Sequence, residues 1–505
     1  MAIGLVVFGA VALLISAFTD TDPSPTVPSG DVPVNEGAGS QGDIRANNSP
    51  TIVRNPRRGD NLVVVNRVDG PRYSCGVHVS FDGGTKWSQE TVEIPRGEEP
   101  KCFAPDAAFT RDGKLHMVYV TLRGAGNVPS AGWYVSSDDG GRTFSKARRI
   151  LGRLAFQVRL TADRADARRL YLSYVRADSD VGLFKFTAPG NPILVSRSVD
   201  GGASFGRPVR VNPAPRARAV APATAVGPKG EVYVLYLDLG DDRLDYEGQH
   251  RGRGGRPYSG RFKLVLARSL DEGRTWAESE VEDSLVPTER FVAFLPPFPS
   301  LAVDPRDGRV YAGFQDGRLG KSDVFVWSRA ADGARWQGPT RVNDTPERDG
   351  TFQYLPRLDV APGGRLDVVY YDRRADPKDV MNEVSLQSSF DEGKSFDARI
   401  RLTGQDFDSR VGYGNERDMP DLGSRLGLVS DDESALAVWS DTRSGSIDSN
   451  KQDIGSARVV FEEPEARETA QKVLLLVGFA AILAGLVSLA LTLLGRGEVS
   501  TSRNP

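Results

Sequence analysis

Histidine is nearly absent from this chain of 505 residues: His78, His116 and His250 are the only three, and they are scattered. That scarcity excludes a histidine-rich zinc centre and a Ser-His-Asp triad. Any acid–base chemistry falls to carboxylates and tyrosines. A dominant charge is missing too: 64 Lys and Arg against 67 Asp and Glu leave a net charge of −3, so no nucleic-acid or other polyanion partner is indicated. Cysteine is reduced to Cys75 and Cys102. Between residues 31 and 461 no long amphipathic helix pattern occurs; short β-branched and aromatic runs alternate with polar residues at period two.

Long apolar runs stand only at the ends. Residues 2–18 carry no charge and suit a signal-peptide core or an uncleaved N-terminal anchor. Residues 473–494 form a run of 22 without a charge, with Lys472 before it and Arg496 and Arg503 after it. That length suffices for a membrane-spanning helix, and the basic flank puts the tail inside. The expected organisation is therefore a signal or anchor over 1–18, a Pro- and Ser-rich linker over 19–30 and a body over 31–461. An acidic spacer over 462–472, a transmembrane helix over 473–494 and a cytoplasmic tail over 495–505 complete it. The expected location is the cell membrane, spanned once at the C-terminus, with the body outside the cytoplasm. In that oxidising setting Cys75 and Cys102 are candidates for a disulfide; two buried thiols are the alternative.

One phrase organises the body. It reads Ser80-Phe-Asp82-Gly-Gly84-Thr-Lys-Trp87 first and returns around Asp139, Asp200, Asp271 and Asp391, with a worn copy at Ser328 to Trp336. The copies start 57–71 residues apart, which marks a repeat architecture. Each stands between two extended runs, so Asp and the following Gly form a hairpin turn that the closing Trp or Phe packs over. Seven second-strand runs can be counted, from Leu62-Val-Val-Val65 to Ala435-Leu-Ala-Val-Trp439. The seventh unit lacks a fourth strand. Fourth strands end in Val-Asn at Asn212 and Asn343, and the same ending occurs before the first repeat at Val34-Asn35. Residues 31–36 are therefore expected to complete the seventh unit and close the ring. The fold class is all-β: a propeller of four-stranded blades, seven preferred, with six plus an accessory segment as the alternative.

The phrase resembles the Asp box, S-x-D-x-G-x-[TS]-[WF], of sialidases and other Asp-box (BNR-repeat) propellers of the membrane-anchored bacterial type. The resemblance spans residues 31–461 and implies a sialidase-like propeller that recognises a glycan or a cell-envelope protein on the face opposite the boxes. An active exo-sialidase or related glycoside hydrolase is one alternative; a non-catalytic scaffold of the cell envelope is another. In that family an arginine triad, a Tyr–Glu nucleophile pair and an acid Asp carry the chemistry. The family's first arginine motif is not found at Asn47-Asn-Ser49-Pro50, so no catalytic residue transfers by motif.

By position, Tyr413 with Glu416 suits a nucleophile pair, and Asp69 or Asp372 an acid. Asp316, Arg318, Arg373, Asp441 and Arg443 recur at equivalent blade positions and suit a polar funnel that grips a carboxylate; Arg417, in the polar entry to the seventh blade, is a further ligand-binding candidate. Mutual Asp–Arg pairing around the ring is the plainer reading of the same pattern. Arg253 and Tyr258 lie in an outsized loop of the fourth repeat. No cofactor is implied; a structural calcium among Asp441, Asp448 and Asp453 is the one metal considered. Oligomeric state is left open.

Overall fold

The structure, a computed structural model, describes residues 24–40, 42–179, 191–242, 258–288, 298–412, 422–462 and 465–497. The chain divides into two units, residues 27–459 and residues 1–26 with 460–505. In the larger unit, seven antiparallel sheets form a propeller. Their innermost strands are Asn47–Asn55, Cys102–Phe109, Ala155–Ala162, Ala219–Val226, Ser300–Val303, Gln353–Val360 and Gly427–Ser430. Six sheets take their strands in chain order, so third-to-fourth-strand turns share one face and second-to-third-strand loops the other.

The seventh blade is completed from the start of the chain, giving seven blades and not six. Val32–Pro33 pairs with Ser456 and Gly455, and the Val34 amide donates to the Ile454 carbonyl at 2.8 Å. Asn35 explains the Val-Asn ending. Its Oδ1 accepts the Ile454 amide at 2.6 Å, as Asn212 accepts Ile193 at 2.8 Å and Asn343 accepts Val324 at 2.9 Å. The amide side chain thus continues the fourth strand's ladder one step beyond its backbone.

The Asp boxes are turns held by their own side chains. In the first, Ser80 Oγ donates to Asp82 Oδ1 at 2.8 Å and accepts the Gly84 amide at 2.8 Å, while the Lys86 amide donates to Asp82 Oδ1 at 2.9 Å. Asp139, Asp200, Asp271 and Asp391 repeat the pattern with Thr143, Ser204, Thr275 and Ser395. The glycine two residues after each box Asp has positive φ (91° at Gly84, 104° at Gly141). A Cβ there would press on the preceding blade: Leu436 at 3.3 Å from Gly84, Val63 at 3.2 Å from Gly141. The box therefore also seats each blade against its neighbour. Cys75 of the first blade is disulfide-bonded to Cys102 at the start of the second, with Cα atoms 5.4 Å apart.

The smaller unit holds a short pairing of Ser24–Thr26 with Val460, Phe461 and Glu462, and a helix over Glu465–Gly497. Here the expected membrane location is corrected. Among the described residues no helix is long and apolar enough to cross a membrane. The signal or anchor expected over 1–18 lies outside the described residues.

Candidate functional site

The Asp and Arg residues expected to form a funnel pair with each other, and the pairing is mostly local. Asp316 takes the Arg318 amide and guanidinium, both at 2.7 Å. Asp372 does the same for Arg374 at 3.0 and 2.6 Å, and the Asp441 carboxylate accepts the Arg443 amide at 2.9 Å and its Nε at 2.9–3.0 Å. Asp69 holds Arg67 at 2.7 Å and Asn48 at 2.9 Å. The repeat is thus an Asp-x-Arg turn within a blade, supplemented across blades by Arg318–Glu282 at 2.8 Å and by Arg443–Asp31.

Arg373 is buried, donating to Asn382 Oδ1 at 3.0 Å and to the Asp379 carbonyl at 2.8 Å; Arg374, not Arg373, pairs with Asp372. Tyr258 bonds Asp241 and stacks on Phe262 at 5.6 Å. Tyr413, Glu416, Arg417 and Arg253 lie outside the described residues. The acids considered for calcium do not converge: Asp441 holds Arg443, and Asp453 accepts Asn35 at 3.0 Å and the Gly39 amide at 3.2 Å. Among the described residues no cluster of His, Cys, Asp or Glu could hold a metal.

The structure brings together a different set, on the innermost strands. In five blades that strand begins with a bulge whose middle residue has positive φ: Ser49, Ala104, Gln157, Ala221 and Leu355. Register slips there by one residue, as between Asn48 and Thr51 and between Tyr354 and Arg357. A bulge re-aims the side chain that follows it. Two positions after the strained residue stand Thr51, Asp106, Arg159, Ala223 and Arg357, and Arg425 occupies the bulge position ahead of the seventh inner strand. The five stand midway along strands that start on the face opposite the boxes, and Arg425 stands just ahead of Gly427–Ser430, so the set lies inward of the axis mouth on that face.

Asp106, 1% exposed, is the hub. It accepts Thr51 Oγ1 at 3.0 Å and the Leu160 amide at 2.8 Å, with Arg159 Nη1 at 3.2 Å. Arg425 donates Nε to Thr51 Oγ1 at 3.0 Å and Nη2 to the Pro105 carbonyl at 2.9 Å. Arg159 Nη1 is buried without a hydrogen bond among the described residues, and its guanidinium lies 5.8 Å from the Phe298 ring. Arg357 has no hydrogen-bond or ion-pair partner among the described residues. Burial, and next Arg159, push the Arg357 guanidinium below its ordinary range, against Asp359 and Asp106. The same two causes act on Arg425, with Arg67 and Arg357 adding to them and Asp106 opposing. Desolvated like charges this close favour an anion between them. Beside the cluster, Arg67 stacks over Phe103 at 5.0 Å and Tyr73 meets Phe103 edge-on at 5.6 Å.

Sequence reasoning missed these arginines because it followed the loops, where Asp-Arg pairs repeat visibly. The usable signal was the x-Pro step opening an inner strand (Ser49-Pro50, Ala104-Pro105, Leu355-Pro356), which marks the next residue as axis-facing.

No protein-family model matches the chain, and no curated protein matches it. Among solved structures it is similar to a protein of unknown function from Dyadobacter fermentans, 12% identical over 87% of this chain and 100% of that one, with a TM-score of 0.49. A Penicillium chrysogenum α-L-arabinanase is 16% identical over 73% and 98%, with a TM-score of 0.46. An ulvan lyase, described as bound to -[GlcA(1-4)Rha3S]-, is 12% identical over 85% and 99%, with a TM-score of 0.45. The chain is a seven-bladed propeller with structural neighbours among glycoside hydrolases and a polysaccharide lyase, and no family model assigns it to the sialidase family.

Proposed function

We propose that this propeller recognises an acidic glycan at the axis mouth opposite the Asp boxes, with Arg159, Arg357 and Arg425 gripping a carboxylate or sulfate. The observation that carries the reading is the excess of cations along the axis: among the described residues three guanidiniums, Arg159, Arg357 and Arg425, face two carboxyls, Asp106 and Asp359. A bound anion supplies the missing negative charge, and arginine forks match carboxylate and sulfate geometry. Phe103, Tyr73 and Phe298, all partly buried nearby, offer faces for the sugar's C–H edges. Sialic acid is one sugar of this class.

The test is calorimetric titration of acidic oligosaccharides (hyaluronan and polygalacturonate fragments, sialyllactose) against neutral lactose and arabinobiose. Binding of at least one acidic probe, with none of the neutral ones, is expected. Substituting Met for Arg357 removes a cation that has no hydrogen-bond or ion-pair partner among the described residues, so affinity falls about tenfold to a hundredfold, the worth of one charge-assisted contact. Neutral probes binding as well as acidic ones would sink the reading.

A further inference from the structure

Along the sixth inner strand, residues 357 and 359 share one side of the chain, while Leu358 and Val360 turn the other way into the core, 1% and 3% exposed. Asp359 therefore follows Arg357 on the axis side, about 7 Å further from the mouth. The Ser430 amide of the seventh blade holds its Oδ2 at 2.8 Å. The Val360 amide also bears on this carboxyl, and neither of its oxygens is among the atoms sealed from solvent without a partner. The carboxyl senses Arg164 of the third blade and Arg357. Burial outweighs both and pushes it up from the ordinary carboxylate range. The axis thus offers a half-buried carboxyl on the same side of the strand as the Arg357 guanidinium, which has no hydrogen-bond or ion-pair partner among the described residues. A glycoside hydrolase uses a group that holds the substrate and a carboxyl that can give a proton to the bond to be broken.

Resting on the acidic-glycan reading, we infer that the site is hydrolytic, and that Asp359 is the general acid cleaving a glycosidic bond of the sugar whose charged group Arg357 holds. The Asp359 carboxyl gives its proton to the glycosidic oxygen as the bond from that oxygen to the anomeric carbon breaks. The bond's electron pair leaves with the oxygen, which departs as a hydroxyl. Water adds to the anomeric carbon, and the proton it loses returns Asp359 to the acid form. One water is consumed, two sugar ends are released, and no tyrosine nucleophile is required.

The full-length chain is incubated with hyaluronan, polygalacturonate and sialyllactose, following reducing-end or free-sugar release alongside calorimetric binding. At least one bound probe is expected to be cleaved. D359N should bind that probe within about twofold of wild type and release product at least a hundredfold more slowly. On the 2,4-dinitrophenyl glycoside of the released sugar, D359N should stay within tenfold of wild type, because that leaving group departs without a proton. A merely structural role for Asp359 would slow both substrates equally, and that result overturns the inference. D359E keeps the acid and should retain a measurable part of the rate; an inactive D359E that still binds the probe counts against it. A probe that binds wild type and is never cleaved also overturns the inference while leaving the binding reading intact. Binding of no acidic probe overturns both.

Discussion

Arg425 reaches from the seventh blade past the first to the second, where its Nη2 donates to the Pro105 carbonyl at 2.9 Å and its Nε to Thr51 at 3.0 Å on the way. One side chain ties three blades at the mouth and carries a charge there. The two roles separate by substitution. R425M should lose both, weakening acidic-probe binding and lowering the unfolding free energy by about 1–3 kcal/mol, since Thr51 and the Pro105 carbonyl lose their donor. R357M should weaken binding with little change in stability. Thermal unfolding run beside calorimetry reads both.

Ring closure rests on Asn35. Its Oδ1 accepts the Ile454 amide and its Nδ2 donates to Asp453 Oδ1 at 3.0 Å, both buried. N35A leaves a strand amide and a carboxylate without their partner, and should cost about 1–3 kcal/mol in urea unfolding. N35D keeps the acceptor but sets a second carboxylate against Asp453, and is expected to be no better than alanine. An unchanged midpoint for both variants would show that the closing strand contributes nothing.

The disulfide Cys75–Cys102 spans 27 residues of sequence. Closing a loop of that length stabilises the native state by about 3–4 kcal/mol in the chain-entropy view. C75S/C102S should therefore unfold at lower denaturant, and reductant should shift the wild-type midpoint while leaving the double variant's in place.

Acid should loosen the boxes in a defined window. The Asp139 carboxyl is brought down to about 2 from 3.8: burial opposes the shift, and Thr143 and Ser137 hydrogen bonds with the Thr143 and Arg142 amides outweigh it. The Asp200 carboxyl is also lowered to about 2, first by the Ser204 hydroxyl and amide. A folded-state value below the unfolded one means stability that is fully present above about pH 4 and lost as pH falls toward 2. D139N and D200N should flatten that part of the stability–pH curve, as followed by near-UV circular dichroism.

Much of the ring was legible in the chain and little of the site was. The boxes and the Val-Asn endings are local: turn chemistry and one side-chain acceptor fix them within a few residues, so Asp82 or Asn212 reads directly. The axis is not local. Asp106, Arg159, Arg357 and Arg425 stand up to 319 positions apart and meet only because the ring brings inner strands from blades 2, 3, 6 and 7 to one mouth. Asp106 and Arg357 follow a bulge marked in the sequence by a residue before proline, whereas Arg159 follows a bulge with no such mark. The visible Asp-x-Arg repeats misled for a physical reason: Asp316 with Arg318 satisfies itself two residues away, which is a turn device available to every blade. The 473–494 run read as a membrane span from its length alone, whereas among the described residues no helix is long and apolar enough to cross a membrane.

The most direct test of the central claim titrates one acidic oligosaccharide that binds, and its neutral counterpart, into wild type and R357M at 50 and 300 mM salt. The account expects wild type to bind only the acidic form, more weakly at the higher salt, and R357M to lose about tenfold or more with its unfolding midpoint unchanged. Equal affinity of wild type and R357M for the acidic form would contradict it.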